Sequence, residues 1–298
     1  MTGTLLVFGA GGQLGRELLR ADPPPGGTVA GVTRAEADIT QSRSIETALD
    51  RVRPTLVINA AAYTAVDKAE SEPEAAFAVN RDGPALLAAA CRARELPLIQ
   101  VSTDYVFDGT KAGAYNEDDP VAPLGVYGAS KEAGERAVRE ALEAHVILRT
   151  AWVFGAFGGN FVKTMLRLAE SRPELGVVDD QTGCPSPARA IAAAILAIAG
   201  SGLGAWGTYH FAGRPPVTWH GFAAAIFAAR ARRCGEAGPR LKAITTADYP
   251  MPARRPANSV LDGSKLARVY GIEPAHWAAG LDQVLDELLP QAAEQRVP

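Results

Sequence analysis

The chain has 298 residues, which at about 150 residues per domain allows two domains or one large α/β unit with a sizeable core. Its 30 Lys and Arg residues against 33 Asp and Glu leave a formal charge of −3, so the basic surface that nucleic acid or an anionic membrane needs is missing. A hydrophobic share of 47% with 21% charged residues excludes a disordered chain. Three widely spaced cysteines (Cys91, Cys184, Cys234) argue against a disulfide framework and fit a reducing cytoplasm. No secretory signal is expected at the N-terminus, and no apolar run approaches the roughly 18 residues of a membrane span. The Ala-rich run 188–199 comes nearest, but it is short and carries Arg189, so it reads as a buried helix. The four histidines are scattered without ligand spacing, and no metal site is expected.

In chain order, a first strand over 4–8 leads into a helix over 13–21. Between them Gly9, Gly12 and Gly15 form G-x-x-G-x-x-G. The physics asks for one glycine at the tight turn, one where backbone N–H groups approach a pyrophosphate, and one where helix and strand pack closely. With the helix N-terminus aimed at the phosphates, this turn reads as a dinucleotide site. The segment DPPPGG at 22–27 ends the helix in a surface turn. The second strand, 28–32, runs into Arg34, whose guanidinium suits a 2′-phosphate but equally fits a solvated loop, so NADPH is favoured and NADH stays open.

Further helices are predicted over 42–52, 72–95 and 126–144, with strands at 55–59, 98–102 and 146–148. Strand segments such as LLVF and TLVIN are nearly all apolar, as strands covered on both faces are. The alternation implies an α/β fold with a Rossmann-type, doubly wound parallel sheet. Ser102, Thr103 and Asp104 stand at a strand's carboxyl end, where open sheets bind ligands. Tyr127 and Lys131 follow, four apart on one helical face. The ammonium is expected to lower the phenol's pKa toward neutrality, at a cost of roughly 4 kcal/mol, and so to ready a proton donor. A Thr103/Tyr127/Lys131 set beside a nicotinamide means carbonyl–alcohol redox chemistry.

Beyond residue 156 the rhythm changes to helices over 161–171, 188–199, 219–232 and 276–289, separated by Gly/Pro loops, with strands near 176–178 and 208–211. This half reads as a smaller mixed α/β lobe closing over the cleft. The expected division is a dinucleotide-binding domain over 1–156 and a substrate lobe over 157–298, with some segments returning to the first sheet. Trp206 and Trp219 read as packing residues, and Cys184 as a thiol that nothing nearby activates.

With these residues in hand, the chain resembles the extended short-chain dehydrogenase/reductases, and within them the dTDP-4-dehydrorhamnose reductase family. The resemblance runs end to end, through FGAGGQLG (8–15), DIT (38–40), NAAAYTAVDKAESEPE (59–74), STDYVFDG (102–109), PLGVYGASKEAGE (123–135), LRTAWVFG (148–155), NFVKTMLRLA (160–169), DDQTGCPSPA (179–188) and YPMPARRPANSVLD (249–262). It implies that Gly12, Gln13 and Leu14 contact the cofactor pyrophosphate, Asp38 and Ile39 the adenine, and Ala62, Tyr63 and Thr64 the nicotinamide side. Tyr127 is implied as proton donor, with Lys131 holding the ribose. Thr103 and Asp104 would meet the sugar near its keto group, Trp152 would pack on the sugar, and Arg254 and Arg255 would lie near its diphosphate. The implied partner is a small-molecule nucleotide-sugar, and the implied state is a cytoplasmic monomer or homodimer. Family members with a magnesium ion at a dimer interface use carboxylates near the helix that here begins Pro187-Ala188-Arg189, so a metal-bridged dimer is not expected. Two other functions stay open: a reductase or epimerase of another nucleotide-4-keto-6-deoxysugar, and a non-catalytic subunit of the methionine adenosyltransferase type.

Overall fold

In this computed structural model, residues 3–202 and 204–289 are described. The last residues of the expected substrate lobe, 290–298, therefore lie outside the described residues, as do 1–2 and 203. Strands β1 (Gly3–Phe8), β2 (Gly27–Val32), β3 (Leu56–Asn59), β4 (Leu98–Thr103) and β5 (His145–Thr150) alternate with α1 (Gln13–Arg20), α2 (Ser42–Val52), α3 (Val66–Ala69), α4 (Pro73–Phe77), α5 (Gly83–Arg92) and α6 (Val126–Ala141). The later elements are β6 (Val153–Phe154), α7 (Phe161–Ala169), β7 (Glu174–Val178), β8 (Thr182–Gly183), β9 (Ser186–Pro187), α8 (Ala188–Gly200), β10 (Gly207–His210), β11 (Val217–Thr218), α9 (Trp219–Cys234), β12 (Arg240–Ile244), α10 (Ser264–Tyr270) and α11 (Trp277–Leu288).

Six strands form one sheet in the order β10-β5-β4-β3-β1-β2, and every pairing in it is parallel. The sheet is doubly wound, and its chain order reverses between β1 and β3. A crevice opens at such a reversal, outside the carboxyl ends of the strands. Successive side chains of a strand point to opposite faces, and the sequence supplies apolar groups to both. Leu5, Val7, Leu56, Ile58, Val146 and Leu148 bury one face against α1 and α8. Leu6, Phe8, Val57, Leu98 and Ile147 bury the other against α2, α5 and α6.

The stretch 72–95, read as one helix, is α4 and α5 joined by a wider π turn at Ala78–Asp82. From the second half, α8 covers the main sheet and β10 extends it beside β5. The remainder has its own core, in which Phe154, Val162, Phe222, Ile226, Trp277 and Leu281 pack together. The short strand expected near 176–178 is β7, and it pairs in parallel with β12, a strand the sequence reading lacked. Alternation in RLKAI is too weak to mark β12, since two of its five residues are charged.

Helix α6 is fixed to the sheet by a buried ion pair. Arg149 of β5 donates Nε to Glu135 Oε1 at 2.9 Å and Nη2 to Oε2 at 2.7 Å, with both side chains almost wholly buried. Burial alone would raise the Glu135 carboxyl, but the Arg149 hydrogen bonds and charge hold it below its ordinary value. Removing the cation leaves a buried charge without a partner. Arg149→Met is expected to cost about 3–5 kcal/mol in urea unfolding, well above the cost of an exposed pair such as Arg94–Asp50.

Candidate active site

The β1–α1 turn lies against the neighbouring strand. Gly9 has φ +83°, and a Cβ there would come within 2.5 Å of the Ala61 backbone nitrogen. A Cβ on Gly15 would meet Ala10 Cα at 2.7 Å, so close helix–strand packing demands glycine there too. Gly12 differs, because its Cβ would meet only the Gly9 carbonyl oxygen at 3.4 Å, ordinary contact. The protein itself makes little demand for glycine at Gly12; the space is what an approaching ligand needs. Among the described residues no side chain caps α1, and its first turn holds no acid, so its N–H groups are open to an anion.

That turn forms one wall of a cavity of about 320 Å³ at the β1/β3 reversal. Of the predicted cofactor residues it gathers Gly9, Gly12, Arg34, Asp38, Ile39, Ala62 and Tyr63. Arg34 is largely exposed at the rim, 3.4 Å from the Asp38 carboxylate, with its guanidinium available for a phosphate. Hydrogen bonds from Thr40 to Asp38 Oδ1 keep that carboxyl below its ordinary value. Six of the predicted cofactor residues stand off that lining: Gly15 packs against Ala10, Tyr127 and Lys131 lie near β4, and Gln13, Leu14 and Thr64 stand elsewhere. Leu14 points its side chain into the core beneath α1, because the helix's apolar stripe must bury, so only its backbone N–H can serve a ligand. Thr64 is exposed and does not line the cavity. Gln13 reaches across to the second half, accepting a 2.9 Å hydrogen bond from Asn160.

Thr103, Tyr127 and Lys131 are brought together at the carboxyl end of β4. Thr103 donates to Asp104 Oδ1 at 3.0 Å and accepts from the Tyr105 N–H at 3.2 Å. Its hydroxyl also acts on the half-buried phenol of Tyr127. Lys131 is buried, and its Nζ donates to the Val101 carbonyl at 2.7 Å. The expected lowering of the Tyr127 pKa is corrected here. Burial pushes the phenol up to about 12, and the Asp104 charge adds to the rise. Burial likewise lowers Lys131 to about 8, because an ammonium loses more solvation than a neutral amine. Desolvation outweighs the Lys–Tyr attraction because Lys131 aims at a backbone carbonyl.

Asp104 is almost wholly buried, its Oδ2 finds no partner among the described residues, and burial raises its carboxyl to about 6. Trp152 adopts φ +44°, a strained backbone for a bulky side chain. Its indole is stacked on Trp219 with centroids 3.4 Å apart and planes 4° from parallel, and a Cβ on Gly183 would lie 2.5 Å from its Nε1. Trp219, read as a packing residue, does pack: it stacks on Trp152, lies 4.7 Å from the Phe161 ring and rests against the second core. Arg255 spends its charge on Asp67 of α3, through hydrogen bonds of 3.0 and 2.7 Å, and Arg254 is exposed. The segment carrying both is thereby tied to α3.

Sequence reading missed Asn80. It is buried in the π turn, where it accepts from the Tyr63 N–H at 2.8 Å and donates to the Tyr63 carbonyl and the Ser130 hydroxyl, each at 3.0 Å. It therefore couples the cavity wall to α6. No spacing rule announces an asparagine inside a helix-like run. Where a metal-binding carboxylate might have stood on α8, Arg189 lies 3.7 Å from Glu17 and 3.2 Å from Glu287. Among the described residues no three metal-ligating side chains cluster, and no helix is long and apolar enough to cross a membrane.

The sequence model of the RmlD substrate binding domain matches residues 3–289. The dTDP-4-dehydrorhamnose reductase of Aggregatibacter actinomycetemcomitans is 46% identical, covering 94% of this chain and 97% of its own. That of Sinorhizobium fredii is 42% identical, covering 96% and 97%. Among solved structures, the Bacillus anthracis dTDP-4-dehydrorhamnose reductase in complex with NADP superposes with a TM-score of 0.90 at 33% identity, covering 96% of this chain and all of that one.

Two glycine substitutions separate folding from binding. Gly12→Ala is expected to keep its thermal midpoint within a few degrees while losing NADPH affinity in a fluorescence titration. Gly15→Ala is expected to lose stability itself, because its methyl collides with the Ala10 backbone.

Proposed function

Since the chain belongs to the RmlD substrate-binding-domain family, we propose that it is an NADPH-dependent reductase that converts dTDP-4-dehydro-β-L-rhamnose to dTDP-L-rhamnose. The observation that carries this reading is the convergence of Thr103, Tyr127 and Lys131 at the carboxyl end of β4, one strand from the glycine-lined cavity. In this reading the turn at Gly9, Gly12 and Gly15, with the backbone of Gln13 and Leu14, holds the pyrophosphate. Asp38 and Ile39 flank the adenine, Ala62, Tyr63 and Thr64 lie toward the nicotinamide, and Arg34 takes the 2′-phosphate. NADH is the weaker alternative cofactor.

With NADPH held by these residues, hydride for C4 of the sugar would come from its nicotinamide. Tyr127 gives its phenolic proton to the oxygen that becomes the hydroxyl, so hydride and proton together turn the ketone into an alcohol. A high phenol pKa suits this role: the proton stays on Tyr127 across neutral pH, and an alkoxide is a far stronger base than a phenolate. Lys131, with its ammonium held at Val101, has further N–H bonds to offer the ribose. Thr103 holds the keto group with Asp104 behind it, the Trp152–Trp219 pair lines the sugar, and Arg255 braces the segment beside the diphosphate. The division into a cofactor domain (1–156) and a substrate lobe (157–298) belongs to this proposal. So do a nucleotide-sugar as the small-molecule partner, a cytoplasmic location, and a monomeric or homodimeric state.

Absorbance of the reduced nicotinamide tests the reading directly. With enzymatically generated keto-sugar, the wild-type protein should consume NADPH, and Tyr127→Phe should lose about 100-fold or more in kcat with NADPH affinity nearly intact. NADPH binding without consumption would turn the assignment toward another keto-sugar. Arg34→Ala should weaken NADPH by roughly 10- to 100-fold, as for other hydrogen bonds to charged groups, and leave NADH nearly unchanged. Equal losses on both cofactors would mean that Arg34 does not read the 2′-phosphate.

A further inference from the structure

A hydroxyl has one hydrogen to give. At Thr103 that hydrogen is directed at Asp104 Oδ1, 3.0 Å away, and one of the two lone pairs is already taken by the Tyr105 N–H. While Asp104 is an anion, Thr103 therefore turns only a lone pair toward Tyr127 and the reaction space. A lone pair cannot hold a ketone oxygen. It would instead draw the Tyr127 hydrogen toward Thr103 and away from the substrate. If Asp104 carries its own proton on Oδ1, the bond between the two residues reverses: Asp104 donates to Thr103, and the Thr103 hydrogen is freed toward the keto group.

We propose that Asp104 acts as a neutral carboxylic acid, a positioning residue that sets the direction of the Thr103 hydroxyl so that Thr103 and Tyr127 both donate to the substrate oxygen. The proposal rests on the reductase reading of the site. Its surroundings favour the neutral form. Asp104 is sealed from water, and its second oxygen has no partner among the described residues. The groups that favour its charge are the hydroxyls of Ser259 and Thr103 and the N–H groups of Asp104 and Tyr105. The titratable groups set against it are Tyr105 from its own turn, Tyr127 from α6 and Cys184 from the β8–β9 turn, and its charge raises the pKa of all three. Arg255 acts on the neighbouring Tyr105. Burial lifts the Asp104 carboxyl to about 6, so the donor form is present below that pH and lost above it.

The test joins spectroscopy to kinetics on the full chain with NADPH bound. Infrared spectra of the wild-type holoenzyme should show a protonated-carboxyl band that fades as pH rises through 6 and is missing from Asp104→Asn. Over the same interval kcat/KM for the keto-sugar should fall by about tenfold or more in the wild type. In Asp104→Asn, whose amide can donate at any pH, that fall should vanish, leaving only the loss near pH 8 where Lys131 gives up its charge. If the variant fails to fold, the wild-type band still decides, since a carboxylate ionised at every pH from 5 to 8 overturns the proposal. Turnover whose decline through pH 6 is unchanged in Asp104→Asn overturns it as well. No turnover at any pH would instead overturn the reductase reading and the proposal together.

Discussion

Glu135 and Arg149 meet through two N–H···O bonds in a space that water does not reach. Such a pair loses much hydration on burial and regains it only when every lone pair and N–H is met. Here Glu135 also accepts from Arg139, and the Arg149 plane lies over the Phe107 ring while one of its nitrogens faces His210. Tyr127, Lys131 and Glu135 recur every four residues, so donor, ammonium and anchor lie along one stripe of α6. Whatever fixes Glu135 fixes the roll and depth of the other two. A hydrophobic substitute would hold the helix against the sheet, but it would not set its register as two directed hydrogen bonds do.

The second half of the chain grips the cavity from both sides. Asn160 caps α7 by accepting from the Lys163 N–H, and its amide also reaches Gln13 in the glycine turn. Arg255 clasps Asp67 just beyond the β3 loop. One anchor meets the first residue of α1 and the other meets α3, the helices that follow the two strands of the β1/β3 reversal. A ligand spanning that reversal would thus lie between two polar tethers that already join the halves, with most of the lobe contact made before it arrives.

Much of the fold was legible in the sequence because its strands carry little else than apolar residues, and LLVF and LVIN leave no polar face to mistake. The glycine turn was legible because steric demands at Gly9 and Gly15 leave no other residue. What escaped were features set by tertiary contact. Strand β10 was expected near 208–211 with some segments returning to the first sheet, but its place beside β5, across more than 50 residues of intervening chain, is nothing periodicity can register. The π turn that seats Asn80 interrupts a run that is helical by composition. The Trp152–Trp219 stack pairs positions 67 apart, and the φ of Trp152 leaves no mark on its neighbours in sequence. Leu14 was read as a cofactor contact because its motif holds it there; its side chain is part of the core, which leaves its backbone N–H for that contact.

The direction of the Tyr127 shift was missed for a related reason. Four residues of helix bring Lys131 near the phenol, and from spacing alone an attraction is all that can be inferred. The sheet decides otherwise, because the Val101 carbonyl takes the ammonium and the same packing strips water from phenol, carboxyl and ammonium alike. All three groups are moved toward their neutral forms. A reaction that begins with a neutral ketone and ends with a neutral alcohol carries net charge at the sugar only in passing. A dry site that keeps the proton on Tyr127, and below about pH 6 on Asp104 as well, has its donors already aligned at that moment, and preorganised donors in a low dielectric act most strongly where charge develops.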